Sequence, residues 1–172
     1  RCAPNGDIFL THRRPDEVIV LRGLGEDGRA EKIETYATGL DHPFGMVFYP
    51  PGDRPQWLYV AQTGSVVRFP YASGDLKARG AFERIAELPG GGQLHGGGHW
   101  TRDLALSRDG KKLFVSVGSR SNSDDSDDNE GEYMRADILE MTPEGKGLRV
   151  WASGLRNAVG IATSPRTGEL WA

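Results

Sequence analysis

The stretch DLALSRDGKKLFVSVG, Asp103–Gly118, places two short apolar runs on either side of a turn. Asp109 and Gly110 form a dipeptide that is a strong signal for a tight turn, and the flanking runs carry β-branched and aromatic residues. Runs of this kind around such a turn predict a pair of antiparallel strands. Runs of similar character recur along the chain at regular spacing, and this repeat indicates the fold class.

Four runs resemble the second half of that stretch, because each is short and rich in β-branched or aromatic residues. A turn that contains glycine precedes each of them. They are IFLTH at Ile8–His12, WLYVAQ at Trp57–Gln62, KLFVSVG at Lys112–Gly118 and ELWA at Glu169–Ala172. A run such as GMVFYP, DLALSRDG or GIATSP precedes each of the last three, and a third run (VIVL, VVRFP or ADILEMTP) follows each of the first three. The period is about 50 to 57 residues.

A unit of this length with three or four short antiparallel strands is typical of a propeller blade. The sequence therefore predicts an all-β protein, a β-propeller, with approximate blades at 1–37, 38–90 and 91–152 and the start of another at 153–172. A β-sandwich is the alternative, because it also has regularly spaced short strands. No helix of useful length is evident, and we interpret Leu76–Leu88, which contains Gly80, as an outer strand between blades.

Composition excludes several classes of protein. The net charge is −3, so the chain offers no basic face for nucleic acid. One cysteine excludes an intrachain disulfide framework and a cysteine-rich zinc site. No apolar run reaches the roughly 18 residues that a membrane-spanning helix needs. The 24 glycines are about twice the usual share, and they are spread over the whole chain.

The phrase GGGHWTRDLALSRDGKKLFVSVGSRSN, Gly96–Asn122, resembles the sorbosone/glucose dehydrogenase family, and its form is similar to the sorbosone-dehydrogenase-like branch. Supporting phrases begin at Thr38 (TGLDHPFGMVFYPPG), Pro55 (PQWLYVAQTGSVVRFPYASGDLKARG) and Ser153 (SGLRNAVGIATSPRTGELWA). The resemblance covers nearly the whole chain. It implies enzymes that use pyrroloquinoline quinone (PQQ) on a six-bladed β-propeller.

His99 is the candidate catalytic residue. It follows a run of glycines that would let the backbone approach a flat ligand, and it stands just before a strand. The resemblance implies that His99 is the general base. An imidazole that is largely neutral near pH 7 can take the proton of a sugar hydroxyl while hydride leaves the carbon. The alternative is a histidine that only caps a turn.

Arg156 and Asn157, in GLRNAVG, are the candidate cofactor-binding pair that the resemblance implies. Arginine offers a planar fork to quinone oxygens or carboxylates, and asparagine can bond the edge of the cofactor's ring. Ala158 stands where relatives commonly have proline. The earlier copy of the phrase carries Asp41 and His42 instead, which favours a site-specific role for the pair. Arg102 is a third candidate ligand, with pairing to Asp103 as its alternative.

Two further features carry weaker predictions. His95 and His99 have the spacing of a metal pair only on a helix, and the intervening glycines argue against one. The roles of His95 and Gln93 are left open. The acidic stretch Ser121–Glu132 is a candidate calcium-binding loop, because Asp125, Asp127 and Asn129 alternate as at the start of such a loop. Glu130, however, occupies the position where a calcium loop needs glycine. The resemblance implies a catalytic Ca²⁺ held largely by main-chain carbonyls, with ligands expected mostly beyond Ala172, so its ligands within this chain are unknown.

The functional hypothesis is PQQ-dependent oxidation of an aldose sugar or a sorbosone-like aldehyde, with electrons passed to an acceptor such as a cytochrome or quinone. The resemblance implies a periplasmic or secreted protein. A calcium-dependent propeller lactonase and a non-catalytic propeller binding module remain as alternatives. The length yields little more than three blades, so we expect a fragment in an open arc that is inactive by itself.

Overall fold

The computed structural model describes residues 1–90, 98–124 and 129–172. In those ranges the chain forms four antiparallel sheets, and the strands of each sheet lie side by side in chain order. The first sheet contains β1 (Ile8–His12), β2 (Glu17–Leu24) and β3 (Ala30–Ala37). The second contains β4 (Met46–Tyr49), β5 (Trp57–Gln62), β6 (Ser65–Pro70) and β7 (Glu83–Glu87). The third contains β8 (Leu104–Leu106), β9 (Leu113–Val117), β10 (Asp137–Met141) and β11 (Arg149–Ala152). The fourth contains β12 (Ala162–Thr163) and β13 (Leu170–Trp171).

Both faces of the central strands of the second and third sheets are buried, because each of these two sheets lies between two neighbours. In β5, Leu58 and Val60 pack against the first sheet, and Tyr59 and Ala61 pack against the third. Successive side chains of a strand point to opposite faces, so one strand supplies two separate cores. A third cluster joins Phe114 and Ile138 of the third sheet to Ile161, which precedes the fourth. The sheets are thus stacked in sequence order, as blades are in a propeller.

The inner strands converge on one side of the arc. β8 contacts both β4 and β12. The first residues of the chain take the inner position in the first sheet, where Cys2 bridges to Ile8. The Arg1 side chain donates hydrogen bonds to the carbonyls of Met46, 2.6 Å away, and Leu104, 3.1 Å away. One arginine therefore ties together the inner edges of three sheets.

Strand direction also decides where the loops lie. Strands alternate in direction within each sheet, so the loop that enters an inner strand and the loop that leaves the second strand lie at the same end. In the third sheet these are the β7–β8 and β9–β10 loops, and the β11–β12 loop enters the fourth sheet at that end too. This end of the arc carries the candidate site.

The predicted all-β fold and the β-propeller arc of about three blades are confirmed. The outer strand predicted within Leu76–Leu88 forms as β7, over Glu83–Glu87 only. The outer strands β3 and β11 have no counterpart among the predicted runs, because both are largely exposed and lack an alternating apolar pattern. The described residues contain no α-helix, only a 3₁₀ turn at Glu130–Glu132. None of their helices is therefore long and apolar enough to cross a membrane.

Candidate functional site

Three loops meet at one end of the third sheet and are joined by main-chain hydrogen bonds. The amide of His99, on the β7–β8 loop, donates to the carbonyl of Ser119 over 2.9 Å. The amide of Ser119, on the β9–β10 loop, donates to the carbonyl of Arg156 over 2.8 Å. Ser119 thus lies between the predicted base and the predicted cofactor pair, and its backbone hydrogen bonds connect the two loops that carry them.

The His99 ring is held by one of its two nitrogens. Nδ1 lies 3.0 Å from the carbonyl oxygen of Ser119 and 3.0 Å from its hydroxyl Oγ. A carbonyl oxygen can only accept, so Nδ1 carries the hydrogen and donates it. The Ser119 hydroxyl in turn donates to the carbonyl of Ser121. In the neutral ring this arrangement leaves the lone pair on Nε2, the nitrogen that a general base needs.

Gly118 lets His99 and Asn157 come together. A Cβ placed on Gly118 would lie 2.4 Å from the Cβ of His99 and 2.4 Å from Oδ1 of Asn157. No side chain other than hydrogen fits there, and the two residues therefore pack against bare backbone. Thr101 donates to the same Asn157 oxygen over 3.3 Å. The structure thus places two of the sequence-predicted site residues against the same glycine.

Arg156 takes a different position from Asn157. Its side chain is exposed, and its guanidinium donates to Oδ1 of Asn122 on the β9–β10 loop. Ala158, where proline was expected from the resemblance, is partly buried against the core between the third and fourth sheets. The Arg156 guanidinium therefore lies at the surface of the site, while the carbonyl of Arg156 accepts the hydrogen bond from the Ser119 amide.

Arg102 is fully buried beneath the site. Its guanidinium donates to the carbonyls of His99 at 2.8 Å, Thr101 at 2.9 Å and Pro89 at 3.0 Å. Burial, with the nearby charge of Arg135, lowers the pKa of the Arg102 side chain to about 9. These contacts favour a positioning role, in which Arg102 holds the backbone that carries His99. Its role as a cofactor ligand stays a prediction, and the alternative pairing with Asp103 is not among its contacts.

A second buried arginine was missed by sequence reasoning. Arg135 donates from Nε to the carbonyl of Gly118 over 3.0 Å, and it is 3% exposed. A Cβ on Gly90 would lie 2.4 Å from an Arg135 nitrogen and 3.3 Å from an Arg102 nitrogen, so the two guanidiniums flank the same glycine. Burial lowers the pKa of Arg135. Two cations therefore lie below the loops that carry His99 and Ser119.

The β9–β10 loop is closed by Glu132, whose carboxylate accepts from the amides of Arg120 and Ser121 over 2.7 Å each. Beside this loop lies an open cleft of about 990 Å³, bounded on its other side by β11 and the start of the β11–β12 loop. Ser119 and Arg156 line both the cleft and the His99 site. The cleft and the site are therefore neighbours on the same end of the arc.

Asp137 lines this cleft and is 7% exposed. Burial raises the pKa of its carboxyl from 3.8 to about 6. No hydrogen bond reaches this carboxyl from the residues in the described ranges. Such a group titrates close to neutral pH and can either donate or accept a hydrogen bond there.

The raised pKa of Asp137 predicts a stability difference that depends on pH. The folded state holds this proton more tightly than the unfolded chain, so the wild type should lose stability relative to Asp137→Asn as the pH rises from about 4 to 7. We expect a relative loss of about 1 to 2 kcal/mol, since the open side of the cleft screens the charge. Denaturant unfolding of both proteins at the two pH values measures it. The same comparison with Asp53→Asn, at an exposed position, should give no such difference, and equal pH dependences for wild type and Asp137→Asn would contradict the expectation.

Sequence reasoning missed Ser119, Arg135 and Asp137 for different reasons. Ser119 acts mainly through its backbone, which side-chain patterns do not display. Arg135 lies between Met134 and Ala136, which adopt positive φ values of 53° and 56° that no local motif announces. The phrase VSVGSRSN did place Ser119 directly after a predicted strand, and that position was the available signal.

Several candidates fall outside the described residues. Gln93, His95, Gly96 and Gly97 belong to one undescribed segment, and Asp125 and Asp127 of the acidic stretch belong to the other. Within 1–90, 98–124 and 129–172, no group of three or more His, Cys, Asp or Glu side chains could hold a metal ion.

Trp100, next to the base, packs between sheets. Its ring meets the edge of Phe44 at 5.6 Å between centroids, and the guanidinium of Arg13 lies 4.4 Å from its centre. These contacts give Trp100 a packing role in this structure.

Comparison with known proteins places the chain in a family. The model of the TrAA12-like family matches residues 29–172, and the chain belongs to that family. The matched model is not that of the sorbosone-dehydrogenase-like branch. No curated protein matches the chain.

Solved structures share the fold at low sequence identity. The holo form of the PQQ domain of pyranose dehydrogenase from Coprinopsis cinerea has a TM-score of 0.78 and 19% identity, covering 99% of this chain and 41% of that one. The iodide structure of the Trichoderma reesei carbohydrate-active enzyme of family AA12 has a TM-score of 0.73 and 20% identity, covering 99% and 43%. The calcium structure of the Trichoderma reesei family AA12 enzyme has a TM-score of 0.73 and 19% identity, covering 99% and 44%. The chain thus spans about two fifths of the length of these neighbours.

Proposed function

We propose that the chain is part of a quinoprotein that oxidises sugars, with His99 as the general base. The observation that carries the proposal is the hydrogen bond from His99 Nδ1 to the carbonyl of Ser119, which leaves the Nε2 lone pair to accept a proton. Membership of the TrAA12-like family supports it, as does the fold shared with a PQQ domain and with carbohydrate-active enzymes.

The residues around the site fit an anionic quinone. Gly118 leaves bare backbone beside His99 and Asn157, where a flat ring can approach closely. Arg102 and Arg135 are buried cations beneath these loops, and low surrounding polarity strengthens their attraction for an anion. The exposed Arg156 offers a planar fork for carboxylates, and Asn157 offers an amide. When bound, the quinone supplies a hydride acceptor.

The side chains described here do not fit a calcium centre, because they contain no cluster of three or more acidic or histidine ligands. Main-chain carbonyls are the donors that the family resemblance implies. The calcium structure of the Trichoderma reesei enzyme makes Ca²⁺ a sensible addition to any assay.

In the proposed reaction, His99 Nε2 takes the hydroxyl proton of the sugar as the C–H bond breaks and the C–O single bond becomes a carbonyl. The Nδ1–H bond to Ser119 keeps the ring oriented and stabilises the positive charge that the imidazole then carries. Arg102 donates a hydrogen bond to the His99 carbonyl and thereby fixes the position of the backbone that carries the ring. His99 later releases the proton to solvent, since its side chain is only half-buried.

The substrate class that we propose is an aldose or a sorbosone-like aldehyde, and the two electrons leave to a cytochrome or a soluble quinone. We further propose that the protein works outside the cytoplasm. The decisive experiment supplies PQQ and Ca²⁺ to the full-length protein and follows dye reduction with a panel of aldoses. Dye reduction that requires both quinone and sugar is the expected result. Its absence with every sugar, in a protein that binds the quinone, would overturn the proposal.

Arg156→Ala should weaken quinone binding about tenfold, because a bidentate charge-assisted contact is lost. Fluorescence or absorbance titration of the protein with PQQ measures the dissociation constant. Arg166→Ala removes an equally exposed arginine from the β12–β13 turn and should leave it unchanged. Equal affinities for the wild type and Arg156→Ala would remove Arg156 from the cofactor site.

A further inference from the structure

The cleft beside the His99 site has features that the proposed reaction leaves unexplained. It lies between the β9–β10 loop and the outer edge of the third sheet, and its volume of about 990 Å³ suits a ligand larger than a few waters. Ser119 and Arg156 form the wall that it shares with the His99 site. A molecule in the cleft would therefore lie next to a substrate at His99.

Most polar groups that line the cleft already have partners. The Glu132 carboxylate accepts two main-chain amides, Arg149 pairs with Glu140, and Arg156 donates to Asn122. Charges of both signs are thus largely balanced at the cleft wall. A strongly charged ligand would gain little at Glu132, Arg149 or Arg156, because each of these charges already has a partner.

Asp137 and Tyr133 have no such partner among the described residues, and neither does the buried Nη2 of Arg135. Asp137 is 7% exposed as a residue and lines the cleft, and its carboxyl receives no hydrogen bond from any residue in the described ranges. A buried polar group of this kind needs a partner, and a ligand hydroxyl can supply one. Tyr133 lines the same cleft with its ring 73% exposed, an unusual position for a large aromatic side chain.

Backbone conformation supports a ligand at this position. Met134 and Ala136, which separate Tyr133 from Asp137, both adopt the left-handed region with φ of 53° and 56°. Residues other than glycine are strained there, and such strain concentrates at binding sites. Between them Arg135 anchors the segment to the carbonyl of Gly118, which links the cleft wall to the backbone beside His99.

We propose that this cleft binds a sugar ring, with Tyr133 packed against its apolar face and Asp137 bonded to its hydroxyls. A neutral polyhydroxylated ring both donates and accepts hydrogen bonds and has an apolar face, which matches one unpartnered carboxyl beside one exposed aromatic ring. The inference rests on the proposed sugar oxidation for its substrate class. The ring is either the one oxidised at His99 or a second ring linked to it.

The test separates binding from turnover. Calorimetry on the quinone-loaded His99→Ala protein, in which sugar oxidation should be at least about 100-fold slower, measures the affinity for D-glucose and for cellobiose. Tyr133→Ala or Asp137→Asn in that background should weaken the binding of at least one of them about tenfold. Asp53→Asn and Trp171→Ala, at exposed positions elsewhere, should not.

Turnover of the same sugars by the otherwise wild-type enzyme identifies the ring. A raised KM for both sugars places the oxidised ring in the cleft, and a raised KM for cellobiose alone places a second ring there. Unchanged affinity in the calorimetry overturns the cleft proposal and leaves sugar oxidation intact. Weakened binding in a wild-type protein that oxidises no sugar supports the cleft and rejects the proposed function.

Discussion

His99→Ala should lower kcat for sugar oxidation about 10²- to 10⁴-fold, the range usual for loss of a general base. The proton of the substrate hydroxyl would then have no acceptor at the position of Nε2. The quinone should still bind, because the contacts proposed for it come mainly from Arg156, Asn157 and bare backbone at Gly118. Steady-state dye reduction gives kcat, and titration with PQQ gives the affinity.

The control for this variant is His12→Ala, which removes an exposed histidine at the end of β1 and should leave kcat unchanged. His99→Ala should also show the same dissociation constant for PQQ as the wild type, within about threefold. A variant that keeps the wild-type kcat would contradict the role of His99. A variant that loses the quinone as well would make His99 a ligand of the cofactor and not only a base.

Gly118→Ala should reduce kcat about 100-fold while leaving the protein folded. The new methyl group would lie 2.4 Å from both His99 Cβ and Asn157 Oδ1, so at least one of them must move. Gly118 has no positive φ, and the substitution therefore introduces crowding without backbone strain. A displacement of about 1 Å in a catalytic group is enough for an effect of this size.

Gly80→Ala is the matched control, because nothing lies within 4 Å of a Cβ at Gly80 and its φ is also not positive. It should keep kcat within about twofold of the wild type. Thermal unfolding of both variants separates loss of activity from loss of fold. Full activity in Gly118→Ala would show that the close packing of His99 and Asn157 against Gly118 is irrelevant to catalysis.

The strands were predictable where burial imposes a strict pattern. β5 and β9 lie between two sheets, so almost every residue in them is buried and the repeat is easy to see. β3 and β11 are held mainly by main-chain hydrogen bonds to one neighbour and face solvent, so their side chains were free to vary. Local sequence carries little information about strands of that kind.

In the candidate site, too, some residues were predictable from local sequence and others depend on tertiary contacts. His99 and Asn157 were found because a motif surrounds each of them, and the structure brings them together at Gly118. The interactions that orient His99 come from the carbonyl of Ser119, which any residue type provides. Arg135 reaches Gly118 across 17 positions of sequence, a contact that exists only after β9 and β10 pair. Such contacts depend on tertiary structure and cannot be deduced from spacing.

In the proposed function, His99 takes the hydroxyl proton of a sugar as two electrons pass from the sugar to a bound quinone. The most direct test mixes the full-length protein, loaded with PQQ and Ca²⁺, with an aldose in the absence of oxygen and any dye, and follows the absorbance of the quinone. We expect rapid loss of the oxidised quinone's absorbance in the wild type and a rate at least about 100-fold lower in His99→Ala. Absorbance that does not change with any aldose, or changes equally fast in His99→Ala, would contradict the account.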